Sequence, residues 1–413
     1  MKRLIYLVLL AFSLLTTSCL IEDKKLFCES PAERMDAFLT EYKALLESSE
    51  KGWLFEYYPE ANQSYGGYAY VLNFKDGNVT AYFELSDESA VSTFKMTSDD
   101  GPVIAFDTYN ENLHFFANPS ASQYQGYEGD YEYNILGKSA DESEIYLKGR
   151  KSGNKLTLKK FSGDDPYKYF EAGAAIATAM TAPAYKMTLD GNETTSCSIS
   201  GNVLEFTIAG DGSAEPVEGG SAYCFSDTGI NFYEPVVING QEYDSFKYTN
   251  ETLVSEDGKV VISLVFPPIN QQLVANTWFA NYNQLGAYAK SVFGSAENYI
   301  MGSYGMAFQY IMLGSYLYPT YGLEHIIGGY GGSCGLDYEL IGEDKITFKY
   351  NAKNQVNGEL FYKAGLVLVV RALSSTFTIT TDDLKSPSYV ILTDDNNPDN
   401  VIKLVAAELG YKQ

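Results

Sequence analysis

The chain has 413 residues, with 53 acidic against 29 basic side chains and a formal net charge of −24. This length allows two or three domains. The negative charge opposes binding to nucleic acid and to anionic lipid, because both are bound through clustered lysine and arginine. Neutral and cationic partners remain open.

Residues 1–18 have the three zones of a secretory signal peptide: a basic start, an apolar run and a small-residue end. The apolar run is too short for the ~20 residues that cross a bilayer. The segment Leu15-Thr16-Thr17-Ser18-Cys19 resembles a bacterial lipobox. We therefore predict a signal peptide over 1–18 and a lipid on Cys19. An ordinary signal peptide is the alternative.

The acidic pair Glu22 and Asp23 follows Cys19 closely. It resembles the surface-export signal of Bacteroidetes lipoproteins, whereas a solvated tether is the plainer interpretation. We expect residues 19–29 to form a lipidated tether, with the body on the exterior face of the outer membrane. No later segment has 18 uncharged apolar residues, so the body is expected to be water-soluble.

The clearest local element is a helix over 31–50. Ser30, Pro31 and Glu33 have the pattern of a capping box with proline in the first turn, and Gly52 is placed to end the helix. Period-two patterns then predict strands at 67–74, 79–85, 91–96, 103–106, 113–116, 130–136, 144–148 and 155–160. The first predicted domain is 31–163.

Asp165 and Pro166 predict a second helix to about residue 180. Strands follow at 186–189, 198–208, 221–225, 230–234, 243–248 and 260–266, which makes 164–268 a second helix-led region. Beyond it we predict a helix at 283–297 and strands at 306–313, 323–327, 336–341, 345–350, 358–363, 366–371, 375–380, 388–392 and 400–404. This last region, 269–413, could form one domain with 164–268.

The fold class that these elements predict is mainly β (α+β), with antiparallel meander sheets or open barrels, each led by an amphipathic helix. Four cysteines besides Cys19 remain to be placed: Cys28, Cys197, Cys224 and Cys334. Cys197 and Cys224 lie in neighbouring predicted strands and are the preferred disulfide pair, with free buried thiols as the alternative.

Residues 282–332 contain nine tyrosines and ten glycines but only three charged residues. Tyrosine supplies contact area and glycine supplies backbone freedom, which together are typical of a ligand-contact surface. The candidate contacts are Tyr304, Tyr310, Tyr321, His325 and Tyr330. Half-buried tyrosines on ordinary strands are the alternative. Trp53 and Trp278 are candidate stacking platforms, although Trp53 is better explained as core.

No catalytic motif is present: there is no Gly-x-Ser-x-Gly, no phosphate-binding glycine loop and no zinc-ligand spacing, and His114 and His325 are the only histidines. His114 is expected to be structural. The oxygen-rich segment 394–400 could offer ligands to Ca²⁺, although a polar turn explains it better. No other cofactor is expected. Acid pairs for a hydrolase cannot be singled out among 53 carboxylates.

Several short motifs together resemble a known family. They are Ser30-Pro31-Ala32-Glu33-Arg34-Met35, Gly52-Trp53, Tyr57-Tyr58-Pro59, Tyr65-Gly66-Gly67-Tyr68, Gly129-Asp130-Tyr131-Glu132, Leu147-Lys148-Gly149, Lys151-Ser152-Gly153-Asn154, Asn276-Thr277-Trp278 and Leu392-Thr393-Asp394-Asp395-Asn396-Asn397-Pro398-Asp399-Asn400. The chain is similar to Bacteroidetes outer-membrane lipoproteins of domain of unknown function 4302, a family with no established activity or ligand.

The resemblance implies an accessory surface lipoprotein encoded beside outer-membrane nutrient importers. We therefore expect a non-catalytic binding protein, anchored in the outer membrane by lipid, that holds a small molecule, glycan or peptide near an importer complex. A structural or adhesive surface subunit and a hydrolase that uses acidic residues are the alternatives.

Overall fold

The computed structural model describes residues 30–194, 196–209 and 215–412. Antiparallel strands dominate it, in two nine-stranded sheets and one closed barrel, which confirms the predicted β-rich fold class. Internal contacts divide the chain into two units. Unit 1 holds the described residues up to Ala179 together with Met187–Val261, and unit 2 holds Met180–Lys186 and the described residues from Ile262 onward.

The leading helix α1 spans Pro31–Glu47. Its capping box is formed as predicted: the Glu33 amide donates to Ser30 Oγ at 3.2 Å, and the Ser30 amide donates to Glu33 Oε2 at 2.8 Å. Tyr42, Leu45 and Leu46 are its buried residues, spaced as one helical face. The helix ends at Ser48, one turn earlier than Gly52 suggested.

The first sheet follows α1. Its strands are β1 (Trp53–Tyr57), β2 (Tyr68–Lys75), β3 (Asn78–Phe83), β4 (Ala90–Thr93), β5 (Lys95–Thr97), β6 (Val103–Ala105), β8 (Glu132–Lys138), β9 (Glu144–Gly149) and β10 (Lys155–Lys160), with β7 (Tyr124–Tyr127) apart from the sheet. The order is β4-β3-β2-β1-β10-β9-β8-β6-β5. Because β1 pairs with both β2 and β10, the first strand lies in the interior of the sheet, next to the central strand β10.

Helix α2 (Pro166–Ala179) precedes the second sheet. Its strands are β11 (Ala184–Leu189), β12 (Asn192–Glu193), β13 (Ser196–Ser200), β14 (Val203–Ile208), β15 (Val217–Phe225), β16 (Gly229–Ile238), β17 (Gln241–Thr249), β18 (Thr252–Ser255) and β19 (Val260–Val265), in the order β12-β11-β19-β18-β17-β16-β15-β14-β13. Phe170 and Gly173 lie on the buried face of α2. A Cβ at Gly173 would lie 3.5 Å from that of Phe225, so the glycine permits close packing on β15.

The closed barrel belongs to unit 2. Helix α3 (Ile269–Ala275) precedes it, and its strands are β20 (Trp278–Ala280), β21 (Phe308–Gly314), β22 (Gly322–Ile327), β23 (Tyr330–Ile341), β24 (Lys345–Tyr350), β25 (Thr376–Thr381), β26 (Tyr389–Asp394) and β27 (Val401–Val405). Pairing of Phe279 with Val405 closes it. Helix α4 (Ala287–Tyr304) connects β20 to β21.

The two strands predicted at 358–363 and 366–371 are wrong. The structure has helix α5 (Val356–Phe361), a wider helical turn at Tyr362–Leu366 and helix α6 (Val367–Leu373). The run is mostly apolar and rich in valine, with Glu359, Lys363 and Arg371 as its charged residues, so its pattern does not separate strand from helix. Its buried residues Leu366, Val369, Val370 and Leu373 have helical spacing.

The strand predicted at 113–116 is also wrong, because this segment is a series of turns. Asn110 organises it by accepting hydrogen bonds from the amides of Asn112 and Leu113 at 3.1 Å each. Buried Leu113 and Phe116 supply the apolar spacing that resembled a strand. Short polar side chains that bond to nearby backbone favour turns over strands.

The two tryptophans are core residues, and neither is a stacking platform. Trp53 and Trp278 are 0 % and 1 % exposed. The Trp53 indole donates to the Leu46 carbonyl at 2.9 Å, and the Trp278 indole donates to the Leu273 carbonyl at 3.0 Å. Each indole thereby ties the end of a helix to the following strand.

The preferred disulfide is wrong, since Cys197 and Cys224 are both free thiols. Cys197 pairs with Phe206, which in turn pairs with Gly219, so β14 lies between the two cysteine-bearing strands and Cys224 is further along β15. Strands lie ~4.8 Å apart, and disulfides need Cα atoms within ~7 Å. The alternative of free buried thiols holds for Cys224 and for Cys334.

Within the described residues, no helix combines the length and the apolarity that a membrane crossing requires.

Candidate functional site

The loop of residues 58–67, between β1 and β2, is fastened by one buried amide. Asn154 Nδ2 donates to the carbonyls of Tyr58 and Glu60 at 2.9 and 2.8 Å. Its Oδ1 accepts from Gln63 Nε2 at 2.6 Å. Because Asn154 is only 3 % exposed, these bonds are shielded from water and hold the loop in one conformation.

A second buried anchor supports the same region. The Asp130 amide donates to the Tyr57 hydroxyl at 2.7 Å, and the Asp130 carboxylate accepts from the amides of Lys151 and Ser152. Burial raises the pKa of the Tyr57 hydroxyl well above its usual range, so Tyr57 stays neutral. Motifs that are far apart in sequence thus meet in one hydrogen-bonded network.

Two glycines let the loop approach the second sheet of unit 1 closely. Gly66 has a φ of +74°, and a Cβ there would lie 2.3 Å from the Gly201 carbonyl oxygen. The Gly67 amide donates to the Tyr223 carbonyl at 2.9 Å, and Asn202 Nδ2 donates to the Gly67 carbonyl at 3.3 Å. A larger residue at position 66 would separate the loop from the β13–β14 turn.

Between this loop and the sheet lies a hollow of about 690 Å³, which we name the serine groove. Its polar lining comprises Asn62, Gln63, Ser196, Ser198, Glu205, Thr207, Glu218, Ser221, Tyr233 and Glu234. An adjoining hollow of about 340 Å³ extends the lining to Ser64 and Ser200. Pockets of this size suit small ligands.

Strand register explains why these polar side chains face one way. Ser198 pairs with Glu205, and Glu205 pairs with Gly220, so the three lie in one row across β13, β14 and β15. Thr207 pairs with Glu218 in the next row on the same face. Gly220 leaves part of this surface without a side chain, where a ligand can approach the backbone.

The charge of the serine groove is negative. Glu205, Glu218 and Glu234 line it, and its described lining contains no lysine, arginine or histidine. Tyr233 contributes an aromatic ring, packed 4.8 Å from that of Tyr58. Hydroxyl, amide and carboxylate groups without a cation suit a neutral or cationic ligand and disfavour an anion.

The sequence-predicted ligand contacts do not form one surface. Tyr304 and His325 both pack on Phe361, with ring centroids 5.9 and 5.4 Å away, but Tyr304 is exposed and His325 is fully buried. Tyr310 pairs with Ile326, whereas His325 pairs with Ile311, so Tyr310 and His325 project from opposite faces of the barrel wall.

The remaining two predicted contacts differ in exposure. Tyr330 is exposed at the start of β23. Tyr321 packs against Tyr338 and Phe348, with ring centroids 5.2 and 6.0 Å away, and its hydroxyl is buried. The tyrosine-rich stretch is therefore distributed between core and surface.

His325 is fully buried, and neither ring nitrogen has a hydrogen-bond partner among the described residues. Burial lowers the pKa of its imidazole to about 4, so the ring is neutral near pH 7. The α-hydrogens of Gly332 leave room for it, since a Cβ there would lie 2.7 Å from His325 Nε2. His325 is closed off from solvent in this structure.

His114 has a structural environment. It is buried, its Nδ1 lies 3.0 Å from the Asn110 carbonyl oxygen, and its ring stacks on Tyr131 with centroids 5.1 Å apart. These contacts stabilise the turns of residues 110–118.

The oxygen-rich segment 394–400 is a polar turn. Asp394 accepts from Ser375 Oγ at 2.6 Å, from the Asn396 amide at 2.9 Å and from Asn400 Nδ2 at 3.0 Å. Burial by itself would raise the pKa of the Asp394 carboxyl, but these hydrogen bonds lower it below its ordinary value. Asp395 is paired with Lys345 at 2.7 Å. In the described ranges, no three His, Cys, Asp or Glu side chains group as metal ligands would.

Four predicted positions, Cys19, Glu22, Asp23 and Cys28, lie outside the described residues. The serine groove was missed by sequence reasoning. Its signal was present as the alternation Ser196-Cys197-Ser198-Ile199-Ser200, but this pattern also fits any exposed strand.

Comparison with solved structures returns DNA polymerase sliding clamps. One, from Pseudomonas aeruginosa with ligand, is 10 % identical and covers 91 % of this chain and 98 % of its own, at a TM-score of 0.11. Another, from Bartonella birtlesii, is 10 % identical and covers 90 % and 98 % at a TM-score of 0.09. Such TM-scores do not indicate a shared fold. No functionally curated protein matches the chain.

A family profile, Domain of unknown function (DUF4302), matches residues 23–250. The match covers the motifs of the 58–67 loop, its buried anchors and the strands of the serine groove. The family resemblance in the motifs is thereby confirmed: the chain belongs to the family Domain of unknown function (DUF4302).

Proposed function

We propose that the chain is a non-catalytic binding protein that holds a neutral, hydroxyl-rich ligand, such as a glycan, in the serine groove. The observation that carries the proposal is that ten polar residues, from one fastened loop and four strands, line a single hollow of about 690 Å³. A preformed polar site spares the ordering cost that a flexible one would add to binding.

The chemistry of the lining favours a sugar over other neutral ligands. Each sugar hydroxyl both donates and accepts, and the groove offers acceptors in Glu205 and Glu218 and both kinds of group in Asn62. Hydrogen bonds to carboxylates are stronger than those between neutral groups. The negative charge argues against nucleic acid and acidic glycans.

Binding is tested with an array of neutral, basic and acidic glycans, followed by calorimetry on any positive. Glu205→Gln is expected to weaken the affinity about tenfold, since one charge-assisted hydrogen bond contributes ~1.5–3 kcal/mol. Glu242→Gln, at an exposed position of β17 outside the lining, is the matched control and is expected to leave affinity unchanged. Binding of acidic glycans alone, or equal effects of both variants, would refute the proposal.

A hydrolase is the second candidate, because Glu205 and Glu218 are diagonal neighbours on adjacent strands. Diagonal residues in antiparallel pairs are ~7–8 Å apart, which is within the ~6.5–9.5 Å between the carboxyl groups of inverting glycosidases. Incubating bound glycans with the protein and measuring new reducing ends separates the candidates. Product release that Glu205→Gln and Glu218→Gln both abolish would establish the hydrolase.

For its location, we propose that Cys19 carries lipid and that Glu22 and Asp23 direct the body to the cell exterior, beside an outer-membrane nutrient importer. The support is the order of basic, apolar and small residues before Cys19 and the acidic pair behind it. Acyl chains anchor by burying methylene groups at ~0.8 kcal/mol each, and two or more make attachment stable.

Labelling cells with an alkyne palmitate analogue tests the anchor. The wild-type chain is expected to incorporate the label and Cys19→Ser to lose it. Proteolysis of intact cells tests whether the body is exposed on the cell surface. The wild-type body is expected to be cleaved, and a variant with alanines at Glu22 and Asp23 is expected to be protected. Unchanged cleavage would assign the acidic pair to a simple tether.

A further inference from the structure

Unit 2 contains a cleft that none of the predicted ligand contacts Tyr304, Tyr310, Tyr321, His325 and Tyr330 line. It measures about 500 Å³ and lies between α4, the end of α6 and the turn 394–400. Tyr288, Ser291 and Ser295 supply one wall from a single face of α4. We name it the Arg371 cleft.

Arg371 is a cation without a counter-charge. The guanidinium forms no ion pair with any described residue, although the chain has 53 acidic side chains. The unit-2 lysines Lys345 and Lys363 are paired with carboxylates at 2.7 and 2.8 Å. Arg371 also lies in the last turn of α6, where a cation is favourable. If Arg371 only stabilised the helix, however, the cleft would not need a hydrogen-bond acceptor for a ligand.

Asn400 lines the cleft and has such an acceptor, which is closed to solvent in this structure. Its side chain is 1 % exposed, and its Nδ2 donates to the Ala372 carbonyl at 2.8 Å and to Asp394 at 3.0 Å. Its Oδ1 has no donor among the described residues. A buried acceptor without a partner is costly, and a ligand that brings a donor removes that cost.

Asp394 also lines the cleft, but its carboxylate is occupied. Four side-chain and backbone donors, from Ser375, Asn396, Asn397 and Asn400, hold it at 2.6–3.3 Å. These donors occupy the oxygens of Asp394 but leave it ionised, so Arg371 is the charged group of the lining with which a ligand can still pair. The hydroxyls of Ser291 and Ser295 form no hydrogen bond with other described side chains, so they are free for a ligand.

We propose that the Arg371 cleft binds a small carboxylate whose neighbouring atoms carry hydroxyl or ammonium donors. The carboxylate pairs with the planar guanidinium, which matches it with two parallel hydrogen bonds. A turn of the Asn400 side chain toward the cleft brings Oδ1 to the donor, and the serine hydroxyls of α4 complete the site. The site is independent of the serine groove, which lacks a cation.

Calorimetric titration of the whole chain tests this with four probes. D-galacturonate and L-serine carry both groups, as a sugar acid and as an amino acid; acetate has only the carboxylate, and D-galactose only the hydroxyls. We expect one of the first two to bind at least tenfold more tightly than acetate and galactose. The better of the two identifies the source.

Arg371→Gln is expected to lower the affinity for the better probe at least tenfold, and Ser295→Ala two- to fivefold. Arg150→Gln, the same change at an arginine paired with Asp99 in unit 1, is the control and is expected to change nothing. Melting temperatures within 2 °C of wild type, on the order expected of surface changes, exclude misfolding. Three outcomes would overturn the proposal. They are acetate binding as tightly as the best probe, no binding of any probe at 10 mM, on the order of the weakest specific sites, and an affinity that Arg371→Gln leaves unchanged.

Discussion

The two units share a construction and differ in what they bury. In each, a helix is followed by a strand whose tryptophan indole donates back to a helix carbonyl: Trp53 to Leu46 and Trp278 to Leu273. Each unit also buries an ionisable side chain without an ion pair among the described residues. In unit 1 it is Glu84, at the end of β3, and in unit 2 it is His325. Glu84 ionises to an anion and His325 to a cation, so burial acts on groups of opposite charge in the two units.

Burial disfavours the charged form, so it raises the pKa of the Glu84 carboxyl to about 7 and lowers that of the His325 imidazole to about 4. The stability that depends on Glu84 is full below its ordinary pKa of 4.5 and is lost as the pH rises to about 7. The stability that depends on His325 is full above its ordinary pKa of 6.5 and is lost as the pH falls to about 4. The units therefore respond to pH in opposite directions.

The largest expected effect tests what the units share. Trp53→Ala and Trp278→Ala each remove a fully buried indole and leave a cavity, so each is expected to cost ~3–5 kcal/mol. Urea denaturation followed by tyrosine fluorescence and circular dichroism measures the loss. Similar costs would support equivalent roles, whereas a cost below ~1 kcal/mol at one position would show that the likeness is only geometric.

The next effect tests the acid side of the difference. His325→Leu removes the titrating group and keeps an apolar side chain in the pocket against Phe361. Relative to the variant, the wild-type chain is expected to lose about 3 kcal/mol of unfolding free energy between pH 7 and pH 4, since one pKa unit is worth ~1.4 kcal/mol. Denaturation at both pH values measures it. Parallel pH curves for the two proteins would mean that His325 finds a partner when protonated.

The alkaline side is tested by Glu84→Gln. This variant keeps the shape of the side chain and abolishes the charge, so it is expected to gain about 2 kcal/mol over wild type between pH 4.5 and pH 8. The expected effect is smaller than for His325, because the Glu84 side chain is only partly shielded from solvent. If the variant gains nothing, a cation must approach Glu84 on ionisation.

Local signals in the sequence predicted much of this fold. The capping residues Ser30 and Glu33 located α1, and strands 155–160 and 345–350 were predicted with both ends correct. The failures are informative. Residues 358–371 are mostly apolar, so only their packing in unit 2 selects a helix.

The candidate site was harder to predict because it depends on long-range packing. The serines of β13 form a groove only because Gly66 and Gly67 bring the 58–67 loop against β14 and β15. Likewise, Arg371 and Asn400 line the same cleft only because Arg371 lies on a helix, in a segment that was predicted as strands. The tyrosine-rich stretch gave the opposite error, because composition alone does not distinguish His325 in the core from Tyr330 at the surface.

The smallest effect returns to the helices that precede the two tryptophans. Ser30 caps α1 with its side chain, whereas Pro268 precedes α3 and gives no side-chain cap. Ser30→Ala leaves the Glu33 amide without its acceptor and is expected to cost ~0.5–1 kcal/mol. Pro268→Ala is the matched change at α3 and loses no hydrogen bond. Thermal melts of both variants compare them: if Pro268→Ala costs as much as Ser30→Ala, helix α1 gains its stability from packing of Leu45 and Leu46, and its cap is incidental.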